Sequence, residues 1–212
     1  MQAGVMCLLA LVMATAAAAR GERSGAFDYY VLSLSWSPTW CAIEGDARQS
    51  PQCDADADFG WVMHGFWPQY TRGWPSYCPT TARNPSRAMT AEMADIMGTS
   101  GLAWYQWNKH GVCSGLSAQD YYALAREAYG RIERPRVFRE LERAVRLPAS
   151  VVEDAFIAAN PHLEPDMITI TCKAGRIQEA RICMSKTLEP VPCGADVVRD
   201  CSATDALLAP IP

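Results

Sequence analysis

The sequence Trp61-Val-Met-His-Gly-Phe-Trp-Pro68 decides how this chain is read. It sets a histidine, followed by glycine, among two tryptophans and a phenylalanine. Its β-branched and aromatic residues read as a short strand over 61–66, and Pro68 opens an irregular stretch that runs through Gly73, Pro75, Pro79 and Pro85. A second stretch, Trp104-Tyr-Gln-Trp-Asn-Lys-His-Gly-Val-Cys113, repeats the arrangement: His110 is again followed by glycine and surrounded by tryptophan. It lies at the end of a segment, 102–110, that reads as a helix stopped by Gly111. Of the chain's three histidines, the third, His162, lies in Asn160-Pro-His162 just past a helix end and reads as structural or solvent-facing.

Histidine is the side chain whose ordinary pKa lies near working pH, so two of them across a scissile bond serve as base and acid. The competing reading is that each is a hydrogen-bonded core residue. Lys109 shifts the balance. A lysine beside His110 in aromatic surroundings suppresses the imidazolium unless an anion is near, which suits a site that binds phosphate. A lysine extending from the helix into solvent is the alternative for that residue.

The two stretches resemble the catalytic blocks of the ribonuclease T2 family, an apolar residue followed by His-Gly-Leu-Trp-Pro and then His-Glu-Trp-x-Lys-His-Gly-Thr-Cys. Leu32-Ser-Leu-Ser-Trp-Ser-Pro-Thr-Trp-Cys41 is similar to the family's N-terminal strand and first cysteine, and the resemblance runs from residue 27 to about 193. It implies a secreted endoribonuclease that needs no metal or other cofactor and acts on single-stranded RNA. His110 would take the proton of the 2′-hydroxyl, His64 would protonate the departing 5′-oxygen, and Lys109 would stabilise charge on the phosphate. The product would be a 2′,3′-cyclic phosphate, then a 3′-phosphate. Trp67 would lie near His64, fixing its ring or stacking a base. Where the family pattern has His-Glu, this chain has Tyr105 and Gln106. Tyr105 would contact substrate through its hydroxyl, and Gln106 would hydrogen-bond a phosphate oxygen or His110 without carrying charge. The expectation is activity retained with an altered rate or pH optimum. The alternative is an impaired RNA- or partner-binding protein on the same scaffold.

Working outward, residues 27–36 read as a strand that alternates near its end, and 42–58 as an Asp-rich loop. Thr90 caps a short helix to 97, with Gly98 as its stop. Ser117-Ala-Gln-Asp120 resembles a capping box for a helix to 131. Pro135 stands near the first turn of another helix to 145, and Ser150-Val-Val-Glu153 is a capping box for a third that ends near 160 before Pro161. Residues 166–173 and 176–184 read as strands. Strands at both ends with helices between give an α+β fold, a largely antiparallel central sheet flanked by helices.

Residues 1–19 carry no charged side chain, hold an apolar core over 5–13 and end on an alanine run, which reads as a signal peptide. Residues 20–212 then form one domain, secreted to a periplasm or the medium. Cys7 leaves with the signal, so of nine cysteines eight remain, an even number that suits four disulfides in an oxidising compartment. Spacing does not choose the pairing. The family resemblance implies Cys41–Cys53, Cys78–Cys113 and Cys172–Cys183, and leaves Cys193 with Cys201.

A net charge of −4 argues against a tight, processive RNA binder but not against a cleft that touches one or two phosphates. There is no Gly-x-Ser-x-Gly elbow, no Cys-x-x-Cys pair and no third ligand for a two-histidine zinc site, and Asp54, Asp56 and Asp58 lack the glycine and distal glutamate of a calcium loop. Trp61, Trp104 and Trp107 read as core. Trp40, Tyr70, Trp74 and Tyr77 lie in loops where they would line base pockets. No later stretch is apolar enough for a membrane helix, and a monomer is the default.

Overall fold

Strand β1 (Tyr29–Trp36) alternates Leu32, Leu34 and Trp36 with Ser33 and Ser35, and this alternation separates the two faces of the sheet in the computed structural model, which describes residues 22–212. The signal segment expected over 1–19 lies outside them. The other strands are β2 (Trp61–Gln69), β3 (Val145–Leu147), β4 (Ile168–Lys173), β5 (Arg176–Met184) and β6 (Ala206–Leu208). They form one sheet in the order β2-β1-β5-β6-β3, with β4 pairing β5. All pairings are antiparallel except a single parallel contact between Arg176 and Leu207. The α+β expectation holds.

One face of the sheet is the core. Leu32 and Leu34, both fully buried, sit beside Met63 and Phe66 of β2 and Ala180 and Ile182 of β5. Burying each such aliphatic side chain stabilises the fold by roughly 1.5–3 kcal/mol. A short helix α1 (Ser37–Trp40) follows β1, and the helices over this core are α2 (Arg87–Glu92), α3 (Ala94–Met97), α4 (Ser100–Lys109), α5 (Ala118–Arg131) and α6 (Ala149–Ala159). Thr99 caps α4, its Oγ1 accepting from the Leu102 N–H at 3.1 Å, and Ser117 caps α5 through the Asp120 N–H at 3.1 Å.

Several elements depart from expectation. β2 runs through Pro68 to Gln69, because it is an edge strand and a missing N–H costs little there. The first short helix starts earlier, capped by Ser86 rather than Thr90. The helix expected over 135–145 is only a 3-10 turn, Arg136–Phe138: Pro135 is extended, and Phe138 turns into an aromatic cluster with Trp36, Trp61 and Phe156. Helix α6 starts at Ala149 after Pro148 with no side-chain cap, so the Ser150 capping box does not form. Trp61 and Trp107 are core, but Trp104 is 44% exposed. On α4 the buried Ala103 and Trp107 share a face, and Trp104 is turned about 100° away from Ala103.

Two of the expected disulfides, Cys41–Cys53 and Cys78–Cys113, are present, and the other two are exchanged. The bonds are Cys172–Cys201 and Cys183–Cys193 rather than Cys172–Cys183 and Cys193–Cys201. The register explains it. Cys172 pairs with Ile177 across the β4–β5 hairpin, and Cys183 stands six residues further along β5 (183 − 177). That is about 20 Å at strand rise, whereas a disulfide needs Cα atoms within about 7 Å. The C-terminal segment instead returns along β4, where the Cys201 N–H donates to Ile170 O at 2.8 Å.

Candidate active site

The face of the sheet opposite the core holds the candidate site residues. Across it lie Trp67 and Gln69 of β2, Ser33 and Ser35 of β1, and Glu179 and Arg181 of β5. The β1–β2 register steps from Ser33 opposite Gly65 to Leu34 opposite Met63, leaving His64 as the extra residue of a β-bulge. A bulge re-aims the side chain it carries, here off the core face. A second bulge in the β4–β5 pair leaves Gln178 unpaired beside Glu179.

Helix α4 delivers the second histidine. Its last turn holds Lys109, and His110 follows as the C-cap, its N–H donating to Gln106 O at 2.9 Å. The Cys78–Cys113 disulfide, with Cα atoms 5.0 Å apart, and a bond from the Tyr77 N–H to Lys109 O at 2.8 Å tie the loop after β2 to this helix end.

Trp67 lies between the two histidines. Its ring meets His64 edge-on, 5.4 Å between centroids at 84°, and His110 at 5.4 Å and 33°. The indole Nε1–H donates to Gln106 Oε1 at 2.8 Å. Gln106 Oε1 therefore anchors Trp67, its bond to His110 runs through the backbone, and its side-chain amide lies in the lining of the same cavity as the two histidines. The glycine after each histidine has a steric reason. A Cβ on Gly65 would collide with Trp67 Nε1 and lie 2.5 Å from Gln106 Oε1, and one on Gly111 would lie 2.5 Å from the Trp107 ring.

His64, Trp67, Tyr105, Gln106, Lys109 and His110 line one cavity of about 360 Å³, with Trp74 at its mouth. A neighbouring cleft of about 730 Å³ runs past Trp40 and shares His64 and Tyr105 with it. The Tyr105 ring is half exposed, with Lys109 Nζ 5.8 Å from its centroid. Trp74 and Tyr77 are exposed, Trp40 and Tyr70 half-buried, and His162 is at the surface, away from the cavity.

The two imidazoles differ in surroundings. His110 is buried, its Nδ1 without a partner, and burial, Lys109 and His64 together push its pKa down to about 3. His64 is partly exposed and its Nδ1 lies 2.6 Å from Glu179 Oε1. Burial works against the Glu179 carboxylate, but the hydrogen bond and charge of His64 and the charge of Arg181 hold its pKa down to about 2, so it is an anion. Arg181 donates from Nε and Nη2 to Glu179 Oε2 at 2.8 and 2.6 Å, and its guanidinium lies 5.5 Å over Trp67. Neither Glu179 nor Arg181 is evident from the sequence, where Arg176-Ile-Gln-Glu-Ala-Arg-Ile reads only as part of a strand.

Among the described residues the one cluster with metal-ligand spacing is Cys41, Asp46 and Cys53, whose cysteines form a disulfide. No helix among them is long and apolar enough to cross a membrane.

The model of the Ribonuclease T2 family matches residues 27–193. The chain belongs to this family. A ribonuclease of Aeromonas hydrophila is 44% identical over 128 residues, covering 60% of this chain and 56% of the relative. A probable ribonuclease of Haemophilus influenzae is 34% identical over 120 residues, covering 51% and 44%. The matches thus span about half the length of these curated relatives. Among solved structures, an RNase-related protein from Calystegia sepium superposes with a TM-score of 0.64 at 20% identity, covering 88% of this chain and 97% of that one. This likeness shows that the T2 fold is retained.

Proposed function

We propose that the protein is a secreted, metal-independent endoribonuclease that cleaves single-stranded RNA by transesterification. The observation that carries this reading is the pair of histidines in contrasting surroundings on either side of Trp67, with Lys109 beside them. His110, held neutral, has a lone pair to accept the 2′-hydroxyl proton. A substrate phosphate adds negative charge near Lys109 and His64, two of the groups that depress His110, so binding makes His110 a stronger base.

The 2′-oxygen then bonds to phosphorus, the bond from phosphorus to the 5′-oxygen breaks, and His64 gives its proton to that oxygen. The products are a 2′,3′-cyclic phosphate and a free 5′-hydroxyl. In a second step the roles reverse: His64 takes a proton from water, the water oxygen bonds to phosphorus, and the 2′-oxygen leaves with the proton of His110, giving a 3′-phosphate. Lys109 supplies fixed positive charge as the phosphorus becomes five-coordinate. Trp67 and Trp74 offer faces on which unpaired bases stack, and Tyr105 offers a hydroxyl where the cavity and the cleft meet. Four disulfides support an oxidising compartment, hence the periplasm or the medium.

The test is a short single-stranded RNA beside the same oligomer with one 2′-deoxy sugar. EDTA is expected to leave cleavage unchanged, and the linkage after the deoxy sugar is expected to stay intact. Loss of activity in EDTA, or scission at the deoxy position, contradicts the mechanism.

A further inference from the structure

We propose that Glu179 is the positioning residue of the acid histidine: it holds His64 so that Nε2 faces the departing 5′-oxygen, supplying from β5 the carboxylate that α4 lacks at Gln106. This rests on the two-histidine reading above.

The geometry leaves the carboxylate little freedom. Glu179 is 1% exposed. Oε2 is occupied by two donors of Arg181, and Oε1 by His64 Nδ1 at 2.6 Å with Ser35 Oγ at 3.4 Å. Because the acceptor is an anion, the proton between them belongs to Nδ1. Nε2 is then the one ring nitrogen left for the substrate, and the ring cannot flip without breaking this bond. A histidine held this way by a carboxylate keeps one tautomer and is stabilised when it becomes an imidazolium.

The sheet is built to allow the contact. His64 and Glu179 belong to the strands on either side of β1, 115 positions apart, and they meet over Ser33 and Ser35. Only small side chains on β1 leave room for that reach. The bulges at His64 and Gln178 bring both side chains to the same level. Gln106 takes no part in the contact: its Oε1 accepts from Trp67, and His64 Nδ1 is bonded to Glu179. An ion pair with Arg181 alone would satisfy a purely structural glutamate, so the test must separate that role from one exerted through His64.

The leaving group makes the separation. A dinucleotide needs its 5′-oxygen protonated, whereas a nucleoside 3′-(4-nitrophenyl phosphate) releases a nitrophenolate that does not. Glu179→Gln is expected to lower kcat on the dinucleotide by about 10- to 100-fold, with KM little changed, and to leave the nitrophenyl ester within about threefold of wild type. Glu179→Asp keeps the charge and the Arg181 partner but draws the carboxylate back from Nδ1. It is expected to show the same selective loss at smaller size, and it carries the test if the glutamine variant does not fold. Equal losses on both substrates, or no loss on the dinucleotide, overturn the proposal. His64→Ala run alongside locates the failure. A selective loss there without one in the Glu179 variants defeats this proposal alone. An equal loss on both substrates in His64→Ala defeats the acid assignment and the proposal together.

Discussion

At the scale of single residues, the site depends on how closely Trp67 packs. Its indole lies over the Gly65 backbone and bonds to Gln106, and both histidines are set against it. Gly65→Ala places a methyl group where the indole nitrogen sits. The rigid ring must move, and a displacement near 1 Å at a reacting centre costs about 10²-fold in rate. Kinetics on RNA should show that loss in kcat/KM, together with a lowered melting temperature from the overpacking, which costs about 1–3 kcal/mol. His110 predicts a pH dependence. Its folded pKa of about 3 lies below the ordinary 6.5, so between these values the unfolded chain binds the extra proton. Stability tied to His110 is complete above about pH 6.5 and is lost as pH falls toward 3. The full loss is about 5 kcal/mol, because each tenfold difference in proton affinity between the folded and unfolded chain is worth roughly 1.4 kcal/mol. Glu179 acts in the same direction at lower pH, as it is protonated between 4.5 and about 2. Denaturant melts of His110→Ala should lack the upper part of this slope, and an unchanged slope contradicts the burial of a neutral His110.

At the scale of elements, helix α6 carries a charge that its surroundings oppose. Burial first, and then Asp200 and Asp154, push the Glu153 carboxyl up to about 7. A group whose folded pKa is raised favours the fold below its unfolded pKa and opposes it as pH rises through the folded value. Glu153→Gln is therefore expected to raise Tm at pH 8 and leave it nearly unchanged at pH 4, as scanning calorimetry would read. The same scale shows what the sequence made legible. The Leu-Ser-Leu-Ser alternation of β1 displays one greasy and one small polar face. Ser117 and Thr99 lie where α5 and α4 begin, although only Ser117 announces itself, through Asp120 three residues on. The two His-Gly blocks could be read because each packs its partners within a few residues. Glu179 could not be, because its meeting with His64 is set by the register of three strands and two bulges. Phe138 was hidden for a related reason: a tertiary aromatic cluster overrides the local helical pattern after Pro135.

At the scale of the whole molecule, four disulfides and one sheet hold the two His-Gly blocks in fixed relation. Cys78–Cys113 closes a loop of sequence separation 35 between those blocks, and its loss is expected to cost about 4 kcal/mol by loop-closure entropy. Urea unfolding of Cys78→Ala/Cys113→Ala measures this, and a change under about 1 kcal/mol contradicts the constraint. The C-terminal pairing was beyond the sequence because it depends on which strand the last segment follows, and proteolytic mapping of the unreduced protein should recover Cys172 joined to Cys201 and Cys183 to Cys193. The central claim is that two histidines move the protons of RNA transesterification. The most direct measurement is the product of single-stranded RNA cleavage by the oxidised protein between pH 4 and 8, with His64→Ala and His110→Ala beside it. The account predicts 2′,3′-cyclic phosphate ends from the wild type and their loss in both variants. Cleavage that survives either substitution at the wild-type rate, or that yields 5′-phosphate ends, would contradict it.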